Sequence, residues 1–94
     1  MKVKLTRSNK PDKRYKVVID GKKTIHFGQK GGSTFVDHKN NEKKSAWIAR
    51  HKVNENWTDP KTAGFWSKHV LWNKPTVSAS ISNIESRFKS IDIT

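Results

Sequence analysis

The sequence contains no cysteine, which excludes disulfide staples and thiolate metal ligands and fits a reducing compartment. No apolar run approaches the roughly 18–20 residues of a membrane span. The opening stretch MKVKLTRSNK lacks the apolar segment of a signal peptide. The expectation is a soluble, intracellular protein without membrane insertion. There is no internal repeat and no low-complexity segment. No two histidines take the HxxxH or HExxH spacing, no carboxylates are paired at a recognisable spacing, and no GK[ST] phosphate motif occurs. These absences leave no metal site, no cofactor site and no set of catalytic residues, so the expectation is a protein that is not an enzyme.

Acidic residues are scarce too. Eight Asp and Glu face twenty Lys and Arg, a formal net charge of +12. The imbalance is uneven: residues 1–31 hold ten basic and two acidic groups, a net +8, while residues 32–60 come to +1 and residues 61–94 to +3. A field of this sign attracts polyanions, and neutralising phosphates releases their counterions. Lysine outnumbers arginine sixteen to four. Lysine is a flexible point charge, whereas bidentate reading of guanine prefers arginine, so the composition points to sequence-tolerant phosphate binding.

A chain of 94 residues with 32% hydrophobic content has room for one domain and one modest core, to which four Trp, four Phe and one Tyr contribute large buried areas. The stretch Trp57–Thr76, WTDPKTAGFWSKHVLWNKPT, holds Trp57, Trp66 and Trp72 and reads as the hub of that core. Asp59 is placed to cap a helix with Pro60 at its first position; Asn73 suits a left-handed exit and Pro75 blocks continuation. Before the hub, Met1–Asn9 reads as a short strand or a flexible basic arm, and Asn9–Asp12 as a turn. Arg14–Asp20 alternates as a strand, Asp20-Gly21 signals a tight primed turn, and Lys23–Gly28 returns as the partner strand. Gln29–Ser33 is a glycine loop, Thr34–Val36 suggests another short strand, and Glu42–Val53 a helix. After the hub, Thr76 caps a helix to about Lys89 with Val77, Ile81, Ile84 and Phe88 along one stripe. Ser90–Thr94 is a tail, loose or packed through Ile91 and Ile93.

The pattern is α+β: an N-terminal basic antiparallel hairpin or three-stranded sheet, then about three helices around an aromatic core. As one domain spanning 1–94, it divides into a possible arm (1–12), the hairpin and glycine loop (13–37), the helical part (38–89) and the tail (90–94). Trp47, Trp66 and Trp72 are expected in the core, and Trp57, just before the helix cap, has the most freedom.

The nucleic-acid candidates are Lys13, Arg14, Lys16, Lys22, Lys23 and Lys30 in and around the hairpin, with Lys43, Lys44 and Arg50 on the next helix. A two-stranded ribbon can enter a major groove or track a phosphate backbone. An edge hairpin kept from aggregating by lysines explains the same residues more plainly. The loop GQKGGS can offer backbone amides and Lys30 to a phosphate, although a flexible connector accounts for it more simply. His26 and His38 flank that loop near Lys30 and Asp37, a proximity that alone does not specify phosphodiester cleavage. His51 and His69 read as packed residues.

The order RYKVVIDGKKTIHFG, a glycine loop with SxFxDH, WIARHKxNExWTDPKTAGFWSKHVLWNKPT and an ISNIESRF-like ending resembles a group of small basic proteins. They are encoded by large double-stranded DNA viruses of eukaryotes, chlorella-virus-like and mimivirus-like ones included. The resemblance runs from Arg14 to Phe88, and Thr62–Thr76 is its most specific part. It implies a viral protein in the virion or at the cytoplasmic virus factory and carries over no catalytic residues. Charge and resemblance together lead to the expectation of a virion protein that binds or condenses double-stranded DNA. The alternative is a minor structural protein that meets capsid proteins or other acidic partners.

Overall fold

The computed structural model describes residues 1–53 and 55–94. Three antiparallel strands open the chain: β1 (Lys2–Arg7), β2 (Lys13–Ile19) and β3 (Lys23–Gln29). Their alternation sets the register. Val3 faces Ile19, Leu5 faces Val17, and Val17 in turn faces Ile25, so one side of the sheet is a continuous apolar surface. The other side carries Lys4, Thr6, Lys16, Val18, Thr24 and His26, none of them buried. The β2–β3 turn has positive φ at Asp20 and Gly21, as the Asp-Gly pair requires, and closes when the Lys22 N–H donates to the Ile19 carbonyl.

Four helical pieces follow: α1 (Phe35–His38), α2 (Asn41–His51), α3 (Ala63–Trp66), which runs on as a π-helical turn (Ser67–Leu71), and α4 (Val77–Arg87). A last short strand, β4 (Asp92–Ile93), pairs parallel to β1, giving the sheet order β3-β2-β1-β4. The α+β pattern is thus present. Of the two readings of the first residues, the strand is the one formed. The tail is neither loose nor merely packed, because it enters the sheet.

The hub stretch fills the space over the apolar side of the sheet. Phe65, Trp66 and Val70 are fully buried, as are Val17 in the sheet and Ile84 on α4. His69, Val70, Leu71, Trp72 and Asn73 are buried in succession, which a one-sided helix does not allow. The π-helical turn, in which the Trp72 N–H donates to the Ser67 carbonyl, lies within this enclosed stretch.

Several boundaries differ from the sequence reading. The cap of α3 is Thr62, whose hydroxyl accepts from the Phe65 N–H, not Asp59. Asp59 and Pro60 form a turn ahead of it, where the Pro60 carbonyl accepts the buried Trp66 indole N–H at 2.7 Å. Asn73 takes no left-handed exit; its carbonyl accepts from Lys44 and its side-chain amide donates to Asn83. Thr34–Val36 is not a strand, because Thr34 and Asp37 bond reciprocally and start α1. The helix expected over Glu42–Val53 ends at His51; Asn54 lies outside the described residues. α4 starts after Thr76, which accepts from the Ala79 N–H. Among the described residues no helix is long and apolar enough to cross a membrane.

Candidate nucleic-acid interface

The nine candidate cations do not form one patch. Lys22 and Lys23 stand exposed at the turn end of the β2–β3 hairpin, with Lys16 midway along β2 opposite Thr6 and His26. Lys13 pairs with Gln29 at the other end, six residues away and so about 20 Å along the strand. There Lys13 lies between two cavities. The smaller, of about 180 Å³, is lined by Arg7, Ser8, Arg14, Tyr15, Lys30 and Gly31 beside Lys13. The larger is a cleft of about 600 Å³ between the end of β3 with its glycine loop, α2, and the α3/π helix. Lys43 and Arg50 reach it from α2. The glycine loop is the wall between the two: Lys30 and Gly31 belong to the small cavity, Gly28, Gln29, Gly32 and Ser33 to the cleft.

Two candidates are occupied inside the molecule. Arg14 donates to both carboxylate oxygens of Asp37, at 2.7 and 3.1 Å, and to Thr34. That guanidinium holds the Asp37 carboxyl down at about 2, against the opposing effect of burial. Arg14 therefore ties β2 to α1 and presents little free charge. Lys44 donates to the Asn73 carbonyl at 2.6 Å and its ammonium lies 4.8 Å from the Phe35 ring centre. Burial, and then the nearby Lys74, pushes the Lys44 ammonium down. Lys44 is thus a structural strut between α2 and the hub.

The tryptophans assemble around α2. Trp47 stacks on Trp72 with ring centres 4.9 Å apart, on Trp57 at 5.9 Å and on His51 at 4.3 Å. Trp66 is fully buried and Trp72 nearly so, in line with the expectation of core positions, whereas Trp47 is only half-buried on the cleft wall. Trp57 is not free: its indole N–H donates to Glu55, its ring lies under Lys68, and its carbonyl accepts from His69 Nε2. Glu55, the one acid lining either cavity among the described residues, is also near His51 at 3.6 Å.

The histidines have separate roles. His26 Nδ1 and Ser8 Oγ are 2.7 Å apart, and burial followed by Lys10 and Lys16 pushes its pKa down. His38 Nδ1 accepts from the Asn40 N–H, which puts the proton of the neutral ring on Nε2. That Nε2 is shielded from solvent and has no partner among the described residues. His69 is buried against Phe65 and Phe88, and burial lowers its pKa to about 4. Among the described residues no three His, Asp or Glu side chains are grouped to hold a metal ion.

Sequence reasoning did not single out Arg7 or the cleft. Arg7 reaches the cluster only because β1 folds back so that Arg7 opposes Tyr15. The cleft joins Lys13 to Arg50 across segments whose proximity no local pattern encodes.

Neither the curated proteins nor the solved structures include a match to the chain. A family model does match residues 3–51, which span most of β1, then β2, β3, α1 and α2 and stop short of the hub. That match covers just over half of the chain, and the protein belongs to DUF5754, a family of unknown function.

Proposed function

We propose that this protein binds nucleic acid through its phosphates, with little regard to base sequence, and that the main contact is the end of the sheet around Lys13. The observation that carries the reading is the gathering of Arg7, Lys13 and Lys30 at one cavity and of Lys13, Lys43 and Arg50 at the next, with Glu55 the one acid lining either cavity among the described residues. Lys22 and Lys23 at the far end form a second, smaller contact. A spacing of about 20 Å suits two contacts along one duplex, whose phosphates follow every few ångströms. Lysine predominance favours tolerance of sequence over base reading. Binding or condensing double-stranded DNA is the proposed task. The resemblance to small basic proteins of large DNA viruses supports the virion or the virus factory as its setting. Mass spectrometry of purified particles tests that setting.

The binding test is a salt series with two unrelated DNA duplexes and an RNA duplex. Five cations at the Lys13 end together with Lys22 and Lys23 predict a slope of log K against log salt of about −6, equal for both DNAs. Weak, shallow binding at physiological salt removes the nucleic-acid reading and turns the charge into an interface for an acidic capsid protein.

A further inference from the structure

The 600 Å³ cleft is built for more than a backbone contact. Its size lies in the range of pockets that enclose small ligands. Its inner wall is apolar and aromatic, with Phe27, Leu71, Trp47 and Trp72. Beside Leu71 the wall continues into the glycine loop, where Gly28 has φ +79° and a Cβ would come within 2.8 Å of Leu71. A side chain at Gly28 would therefore strain both the backbone and that wall. Lys13, Lys43 and Arg50 stand among its lining residues.

The polar groups of the cleft are mostly donors. His38 keeps a shielded Nε2–H without a partner among the described residues. The indole N–H groups of Trp57 and Trp66 are taken by Glu55 and Pro60, whereas those of Trp47 and Trp72 have no partner among the described residues. Glu55, the one acid of the lining among the described residues, is held by Trp57 and His51. A shielded donor left without an acceptor is costly, so the His38 Nε2–H favours a ligand that brings it an acceptor. The cationic lining adds a demand for negative charge, and the apolar walls add one for a flat or apolar body.

A nucleoside phosphate meets all three demands. We infer that the cleft takes one unpaired nucleotide, with its phosphate at Lys43 and Arg50 and its base against the indole edges and His38. Since Trp47 already stacks on Trp72, Trp57 and His51, the base enters between the glycine loop and the ladder, not within the ladder. This assignment rests on the nucleic-acid reading for the source of the nucleotide, either free or as a member of a single strand. A base inside a duplex is paired and stacked and does not enter.

The test follows the indole N–H and His38 ring signals by NMR while adenosine monophosphate, thymidine monophosphate, adenosine, inorganic phosphate and a short single-stranded thymine oligonucleotide are added separately. The expected result is that both monophosphates and the oligonucleotide shift the Trp47, Trp72 and His38 signals, with adenosine and phosphate each about tenfold weaker. Stronger binding of the oligonucleotide than of the monophosphates identifies a strand as the source, and the reverse a free nucleotide. Ala46 is exposed on the cleft wall, so Ala46→Phe narrows the space without changing charge or core. It should weaken these ligands about tenfold and leave the duplex salt slope unchanged. Duplex binding without any shift from monophosphate or oligonucleotide overturns the cleft assignment and spares the proposed function. Loss of all three overturns both, and an equal response to a glutamate-rich peptide overturns the nucleotide class.

Discussion

Arg14 and Asp37 join the sheet to α1 through two hydrogen bonds, and the same carboxylate caps α1 through Thr34. With Asp37 held at about 2, its contribution is present above the ordinary carboxylate pKa near 4 and is lost as pH falls from 4 towards 2. An Asp37→Asn variant should lose less stability than the parent in that window, as urea melts at pH 4, 3 and 2 would reveal. His69 titrates in a different window. Its pKa is lowered from 6.5 to about 4, so the unfolded chain binds the proton first and stability falls as pH drops from 6.5 to 4. That loss should be about 3 kcal/mol, and replacing His69 with Gln should remove most of the pH dependence there. Neither partnership was legible in the sequence. Arg14 counted as a free cation because its acid lies across the glycine loop, and only the path of the chain brings them together.

At the scale of elements, the β2–β3 hairpin and α4 were legible because their signals are local: Asp20-Gly21 for the turn, Thr76 and the Val77–Phe88 stripe for the helix. α1 was missed although its signal, Thr34 and Asp37 three apart, is equally local; the β-branched Thr34 and Val36 suggested a strand. Thr34→Ala should cost about 1 kcal/mol and loosen the glycine loop beside it, which a denaturation curve checks. The hub was legible in content but not in shape. Its aromatic richness announced burial, whereas the π-helical turn, which opens a run of five buried residues from His69 to Asn73, has no sequence signature. Trp66→Ala should cost about 3–5 kcal/mol, since a fully buried indole and its bond to Pro60 are both lost. Melting indistinguishable from the parent would place Trp66 outside the core.

For the whole molecule, net charge announced a polyanion partner but not where the charge is free. Folding withdraws Arg14 and Lys44 into internal contacts and draws Arg7, Lys13, Lys30, Lys43 and Arg50 to the end of the sheet. Replacing Lys13, Lys30 and Arg50 with Ala should therefore flatten the duplex salt slope by about 3 units and weaken affinity more than replacing Lys16, Lys22 and Lys23. Equal losses from the two triple variants, measured with both folded, would return the hairpin turn to equal rank. Part of this arrangement is unreadable in principle from local patterns, because β4 and β1 meet from the two extremes of the sequence.

That meeting has a mechanical consequence. β1 and β4 run parallel, joined by the Met1 ammonium to the Ser90 carbonyl, Asp92 N–H to Met1, Thr94 N–H to Val3 and Leu5 N–H to Thr94. Force applied between Met1 and Thr94 pulls the two strands lengthwise past each other, so these bonds share the load and rupture together. An antiparallel pair pulled from adjacent ends would instead unzip one bond at a time. The molecule should thus resist stretching most at its seam, and yield there in a single step.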